Sequence, residues 1–523
     1  MSEPQAPGAG TWLGIERRWL TLIAVCGATF MLLIDITIVQ VALPTIEHRL
    51  HASFSDLQWV IDAYALAMST LILGWGSSAD RFGRKRVFVF GLGLFTLASL
   101  LCGVATNAPM LIWSRALQGI GGAALFATGL ALIGQDFHGR ERGKAIAAWG
   151  ATVGGAVAVG PLIGGALTSG FGWRSIFFVN VPIGILTGWL AVTRMVNLSD
   201  SGTVRLDVPG LATFSSSMFL LVFALIRASA DGWTSATILS LFAAAAVLMA
   251  LFIFAELHQE HPLLDLSLFR KPSFTGVSIG TFALGAGMFA LLPYITFYLQ
   301  NDLGYSPLQG GLRLLPCTLL CFVVPLAIRS VAERWSPRLG LAIGLGITGV
   351  GLAAMTVVTT RSSWTALIPG LLLTGLGIGI ANPMVAKIAL GVIAPARSGM
   401  ASGINNTFRI GGVATGVAAL GAIFQQRVTT SLASNLGHPA PQLAKVVASA
   451  GIRAAVAAGS STPGIAVAAH GAFLSGFRLI LVIGAALVAA GAFAGAALVR
   501  GSDFANRMPA APAHEPAVAV PAE

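Results

Sequence analysis

Long apolar blocks broken by short basic runs dominate this chain. Several of the blocks run about 18 to 25 residues with few or no charges, the length an α-helix needs to cross the hydrocarbon layer of a bilayer. Six of them cover residues 19–41, 57–77, 87–104, 110–133, 145–167 and 175–196. Two more cover 209–226 and 236–255. The last six cover 277–299, 311–328, 339–358, 366–386, 401–424 and 472–499. Each block predicts one membrane-spanning helix, fourteen in all, and the fold class is an all-α polytopic membrane protein.

Composition agrees with that pattern and closes off other classes. Of 523 residues, 55% are hydrophobic and only 10% charged, with 63 glycines, more apolar surface than a soluble chain of this length can hide in a core. The net charge of +11 has the sign of a nucleic-acid binder, but the basic residues sit between apolar blocks rather than on one stripe or tail. They follow the positive-inside rule instead: Arg17 and Arg18 precede helix one, Arg81 to Arg86 follow helix two, and Arg140, Arg142 and Lys144 follow helix four. The same parity continues to Arg500 and Arg507, so both termini are expected in the cytoplasm of a cell inner membrane. Cys26, Cys102, Cys317 and Cys321 lie inside apolar blocks without metal-site spacing, so neither a disulfide nor a metal is expected.

A repeat organises the blocks. Ala79-Asp80-Arg81-Phe82-Gly83-Arg84-Lys85 after helix two has a counterpart in Ala332-Glu333-Arg334-Trp335-Ser336-Pro337-Arg338 after helix ten. An offset of eight helices fits two six-helix halves with two helices inserted between them, and paired halves around a central site are a transporter architecture. The expected division is a cytoplasmic N-terminus (1–18), a six-helix bundle (19–200), two linker helices (201–260) and a second six-helix bundle (261–500). A long extracytoplasmic loop is expected at 427–470 and a disordered cytoplasmic tail at 501–523, rich in Ala and Pro.

Several motifs carry a resemblance. Gly76-Ser77-Ser78-Ala79-Asp80-Arg81-Phe82-Gly83-Arg84-Lys85 matches G-x-L-A-D-R-x-G-R-K except at Ser78. Leu32 to Pro44, reading LLIDITIVQVALP with Gln40 where asparagine is usual, matches a helix-one motif, and Arg115-Ala116-Leu117-Gln118-Gly119 matches R-x-x-Q-G on helix four. Gly160-Pro161-Leu162-Ile163-Gly164-Gly165 matches the core of an antiporter motif on helix five, and Gly172 to Pro182 matches the start of helix six. In these motifs the chain resembles the major facilitator superfamily, specifically its fourteen-helix drug:proton antiporter branch. That resemblance implies the major facilitator fold, a gating role for the loop residues Gly76, Asp80, Arg81, Gly83, Arg84 and Lys85, and a leak-tight kink at Gly160, Pro161, Gly164 and Gly165.

The residues themselves point to proton chemistry. An ionised acid in the hydrocarbon layer is costly and so is a functional candidate by default. Only Asp35 and Asp62 lie well inside predicted spans, and none lies deep in helices nine to fourteen. At about 1.5 Å per residue, Asp35, Asp62 and Arg115 fall at similar depths below the same membrane face, roughly 8 to 12 Å down. A guanidinium favours the carboxylate and desolvation opposes it, so changing access to water can move a proton on and off. The alternative is a fixed structural pair with Arg115. In the resembled family the helix-one acid and the helix-four arginine are implicated in proton coupling, which would make Asp35, Asp62 and Arg115 the coupling set. No catalytic residue is assigned.

Gln40, Trp59, Tyr64, Gln118, Phe289, Tyr294, Tyr298, Asn405 and Arg409 are candidates for lining a substrate cavity, the aromatics offering apolar or cation–π contacts. Against these stands the more ordinary fate of membrane aromatics, which face lipid or core. Gly344 to Gly349 formally fits a dinucleotide-binding pattern but lies inside a span without a preceding strand, and reads as helix packing. The expected function is a proton-coupled antiporter exporting small, largely hydrophobic molecules, working as a monomer in the bilayer with no cofactor beyond the proton gradient and no nucleic-acid partner. A nutrient importer and a non-transporting membrane sensor or enzyme are the alternatives; the helix-five motif disfavours the first, and no catalytic cluster supports the second.

Overall fold

The computed structural model describes residues 11–12, 15–137, 139–196, 207–259, 264–328, 335–392, 398–436, 440–449 and 464–505. A two-residue antiparallel pair, Thr11–Trp12 with Ile15–Glu16, precedes a wholly helical body. All fourteen apolar blocks lie in helices. They are α1 (Arg17–Leu50), α2 (Phe54–Phe82), α3 (Arg84–Gly103), α4 (Ala108–Asp136), α5 (Gly139–Phe171), α6 (Ser175–Arg194), α7 (Val208–Asp231) and α8 (Ala236–His258). The others are α9 (Pro272–Asp302), α10 (Pro307–Ala327), α11 (Pro337–Val357), α12 (Ile368–Gly391), α13 (Ser398–Leu436) and α14 (Ile465–Leu498).

Among the described residues twelve helices are long and apolar enough to span a bilayer, or thirteen if two segments of α5 bent by 43° count as one span, against the fourteen expected. That bend falls between Ala148–Ala156 and Ala158–Phe171. Pro161 accounts for it: proline has no N–H to give and its ring displaces the carbonyl four residues back, which places the distortion at the break.

Two expected boundaries are corrected. The segment expected as a loop from residue 427 is helical as far as Leu436, and α14 begins at Ile465 rather than at 472. A short helix, Pro441–Ser449, lies between them. The tail expected from 501 starts with a helix, Ser502–Ala505, tied down by Asp503, which accepts from the Ser273 N–H at 3.2 Å. Residues 506–523 and the second copy of the loop repeat at Ala332, Glu333 and Arg334 lie outside the described residues.

Helices α1–α6 pack among themselves, and so do α9–α14. The two groups meet along α2 against α13 and α5 against α10. Hydrogen bonds between them, among the described residues, lie towards the end that carries the α1–α2 turn. Gln58 donates to the Val417 carbonyl (3.2 Å), Gln300 to the Val41 carbonyl (2.8 Å) and the Leu308 N–H to Ser169 (3.1 Å). This end of the molecule is therefore closed.

The inserted pair stands outside both groups. α7 packs on α2 and on α13, where Trp59 of α2 meets Phe219 and Phe223, with ring centroids 6.0 and 6.1 Å apart. α8 packs on α7, and only 17% of its most apolar stretch is buried by protein. An apolar helix so little covered needs lipid as its solvent.

At the opposite, basic end, lysines close helix C-termini whose carbonyls have no partners of their own. Lys85 donates to the carbonyls of Val192 (2.7 Å) and Met195 (2.8 Å) at the end of α6, and Lys271 to that of Val392 (2.8 Å) after α12. The basic loops thus anchor helix ends as well as marking one side of the membrane.

Candidate proton-coupling site

The R-x-x-Q-G motif of α4 builds the centre of the N-terminal group. Arg115 and Gln118 are one helical turn apart and share a face. Gly119 lets that face reach α2, since a Cβ there would lie 2.5 Å from the Tyr64 carbonyl oxygen. The close approach lets Arg115 Nε donate to the Val60 carbonyl (3.1 Å) and stacks its guanidinium over the Tyr64 ring, 4.2 Å from the centroid.

Asp35 on α1 completes the site. Arg115 pairs with its Oδ2 at 2.5 Å, while Gln118 and Asn180 each donate to its Oδ1 at 2.9 Å. Gln118 Oε1 accepts from Arg115 (2.7 Å), and Ser99 on α3 accepts from both amides, at 3.2 and 3.0 Å, while donating to the Phe177 carbonyl (3.0 Å). Asp35 is 0% and Arg115 2% exposed. Two charges so deeply buried are worth little to stability by themselves, and breaking such a pair is expensive. Four helices therefore converge on one acid that has a matched acceptor load, a fixed cation and a buried cage.

Sequence reasoning placed Asp35, Arg115 and Gln118 but read Gln118 as cavity lining; it belongs to this network. It missed Ser99 and Asn180. Asn180 had a visible signal, an amide at the start of an otherwise apolar helix; a lone serine within α3 had none.

Asp62 is not part of this cage. It stands one turn after Gln58, on the face of α2 that meets α13, fully buried and near Tyr294, with no hydrogen bond to either oxygen among the described residues. Shared depth did not mean a shared site, because the period of the helix turns residues 60 and 62 to different neighbours.

The candidate cavity residues do not gather round one space. Trp59 packs on the inserted α7, and Tyr64 lies beneath Arg115. Tyr294 donates to the Val417 carbonyl (3.0 Å) and packs among Phe54, Phe297 and Phe424 in the seam between the groups, while Tyr298 stacks on Phe477 inside the C-terminal group. Asn405 accepts from Thr281 (2.8 Å), Gln40 is buried on α1, and Phe289 and Arg409 are half-buried on α9 and α13. A cavity of about 10 Å³, room for a single water, lies in the seam beside Gln58, Ile61 and Tyr294.

The α5 motif packs where its glycines allow. A Cβ on Gly164 would lie 2.8 Å from Ile38 Cα on α1, and one on Gly165 would lie 2.6 Å from the Pro307 carbonyl oxygen at the start of α10. Gly160 faces Thr37, and Pro161 faces Gly311. The stretch thus touches both the helix that carries Asp35 and the opposite group. In the loop motif, Gly83 takes φ +96°, a left-handed conformation that favours glycine, and Arg84 donates to the Ala131 carbonyl (3.2 Å). Arg81 is exposed at this end and Gly76 is half-buried, with open space where a Cβ would stand; the side chain of Asp80 lies outside the described residues.

The chain matches the model of the Major Facilitator Superfamily over residues 25–417. It is 33% identical to the multidrug resistance protein Stp of Mycobacterium tuberculosis, covering 95% of this chain and 96% of that one. It is 32% identical to the tetracenomycin C resistance and export protein of Streptomyces glaucescens, covering 90% of each. The fold is similar to the crystal structure of a bacterial homologue of the human lysosomal transporter Spinster, inward-facing and unoccupied, with a TM-score of 0.62 at 16% identity over 93% of this chain and 98% of the other. By sequence, and with a fold to match, the chain belongs to the Major Facilitator Superfamily.

Proposed function

We propose that this protein is a proton-driven antiporter that exports small, largely apolar toxic compounds by alternating access. The observation that carries the reading is the Asp35 cage: a fully buried carboxylate held by one guanidinium and two amides, in a helix that also lines the contact with α5. An intramembrane acid so placed can hold a proton or a cation, and its occupancy depends on water reaching it. Relatives named for multidrug resistance and for tetracenomycin C resistance and export support drugs or antibiotics as the cargo class. Basic loops on one side support a cell-membrane orientation with both ends of the chain in the cytoplasm. The closed α1–α2 end then faces outward. One chain supplies both helical groups and the seam between them, so a monomer is a complete unit, and the proton gradient replaces any cofactor.

The test is purified protein in liposomes with an imposed pH gradient, challenged with a panel of dyes and antibiotics. Gradient-dependent accumulation that an uncoupler abolishes is the expected result. Transport that ignores the gradient refutes the coupling, and no movement of any compound refutes export.

A further inference from the structure

The last turn of α9 holds a further buried acid, Asp302, which lies beyond the span expected from the sequence. Tyr298–Asp302 form a π-turn, closed by the Leu303 N–H donating to the Tyr298 carbonyl at 2.9 Å. Such wide turns are uncommon and recur at functional positions. The turn draws the Asp302 side chain fully inside, where its ionic partner among the described residues is His470 of α14, with Nε2 3.3 Å from Oδ2. His470 remains 23% exposed, so the imidazole connects the buried carboxylate to the surface at the α1–α2 end.

Among the described residues, His470 is the cation placed on the acid. On α9, Tyr298 is held by its stack on Phe477. Arg478, one helical face along α14, spends its guanidinium on the Val358 carbonyl, through Nε at 2.8 Å. Arg313 of α10 stacks over Tyr305, 3.5 Å from the ring centroid, and donates to the Gln309 carbonyl (2.9 Å). From α13, Asn435 donates to the Ala468 carbonyl (3.4 Å). A carboxylate in this pocket is therefore balanced when the imidazole is protonated and left as an uncompensated buried charge when it is not.

The same turn also carries Gln300, two residues earlier, whose amide crosses to the Val41 carbonyl of α1 at 2.8 Å. We propose that Asp302 and His470 form a second proton-binding site, distinct from the Asp35 cage, and that a proton taken up there holds the α1–α2 end shut through Gln300. Protonating the imidazole makes an imidazolium–carboxylate pair that fixes the π-turn against α14 and so keeps Gln300 on α1. Losing that proton leaves the turn without its anchor and frees the seam. If this end faces outward, as proposed above, acid outside favours closure; the direction of the effect rests on that orientation, whereas the latch itself does not.

The experiment places spin labels at Arg49→Cys on α1 and Thr430→Cys on α13, both exposed at this end, in a full-length chain lacking its native cysteines. Distances across the seam are measured in lipid nanodiscs at about pH 5.5 and about pH 8.5, on either side of the ordinary imidazole titration near 6.5. The parent protein is expected to move from a short to a longer distance as pH rises. Asp302→Asn and His470→Gln are each expected to lose that shift. His470→Lys, whose cation persists through this range, is expected to hold the short distance at both values. A pH shift of parental size in Asp302→Asn and His470→Gln overturns the proposal, as does an unlatched distance in His470→Lys; elution as a single monodisperse species excludes misfolding. Asp35→Asn in the same labelled chain separates the two sites. If Asp35→Asn alone loses the shift, the latch is wrong and the coupling reading survives. If it keeps the shift and still transports against a gradient, the coupling reading is wrong and the latch survives.

Discussion

Replacing Asp35 by asparagine tests the cage at its centre. The amide is nearly isosteric but has one acceptor oxygen for three donors: Arg115 on one carboxylate oxygen, Gln118 and Asn180 on the other. Asn180 can turn over, because its own Oδ1 is buried without a hydrogen-bond partner among the described residues and can accept from the new amide. Arg115 keeps the Val60 carbonyl and Gln118 but loses its counter-ion. The expected stability loss is about 3 kcal/mol, the low end for breaking a buried pair. The functional loss is larger and of a different kind. One proton moving down about 100 mV releases about 2.3 kcal/mol, which supports a substrate gradient of about fiftyfold at 1.4 kcal/mol per tenfold. In liposomes the parent protein should accumulate a fluorescent substrate toward that limit, whereas Asp35→Asn should equilibrate it and stop. Exchange of labelled for unlabelled substrate without a gradient should continue in the variant, since no gradient is being used. Accumulation by Asp35→Asn equal to that of the parent refutes the assignment of Asp35 as the proton carrier.

Three further changes probe the parts around the cage. Asp62→Asn orphans no donor, since nothing donates to Asp62 among the described residues, so melting temperature should hold and gradient-driven accumulation persist; loss of accumulation here with Asp35→Asn active would move the carrier role to α2. Gly165→Leu drives a side chain against the Pro307 and Leu308 backbone, which cannot yield as a side chain could, so transport should fall more than about tenfold and spin-label distances across the α1–α2 end should lengthen. Unchanged distances would show that α5 and α10 do not set the closure. Lys85→Ala removes the donors to Val192 and Met195 and should cost about 0.5–1.5 kcal/mol per bond in unfolding measurements while leaving the substrate gradient intact, the mark of an anchoring rather than a driving residue.

What the sequence disclosed depended on the range of the interaction. Burial in lipid needs only a run of apolar residues, so the helices were legible from local composition, though twelve or thirteen among the described residues, not fourteen, are long and apolar enough to span. Asp35 and Arg115 were legible because an ionisable group in such a run stands out against its neighbours. Ser99 was not, because it is an ordinary polar residue whose role appears only when α3 is brought against α4 and α6; Asn180 stood in the helix-six motif, but its contact with Asp35 needed the fold. Depth along a helix was also read too generously. Asp62 lies near the level of Arg115, but the 100° step between residues points it to α13 instead. Asp302 was hidden for another reason: the span was ended at Leu299, whereas the π-turn carries the helix three residues further and turns the acid inward. The aromatic candidates lie apart from one another for one reason: a ring in a membrane helix packs equally well in a seam, on an inserted helix or within a bundle, and nothing in its own sequence chooses.

The placement of these parts on α1 gives the exchange cycle a physical route. Asp35 and Val41 lie six residues apart on that helix, about 9 Å along its axis. Between them Thr37 and Ile38 sit against Gly160 and Gly164 of α5, packed too closely for either helix to slide independently. A change in the hold of Arg115 on Asp35 therefore cannot stay local. If α1 tilts to bring the acid toward water, the Val41 carbonyl moves relative to Gln300, and the α5 contact carries the motion to Gly165 and the start of α10. The energies are of comparable size, a hydrogen bond or two at each seam contact against one proton's worth of driving force. A ligand or proton shifts such an equilibrium only by the difference in its binding to the two states. The cage meets that condition because a proton on Asp35 removes the charge that Arg115 balances, and it does so on the helix that also bears a cross-seam acceptor.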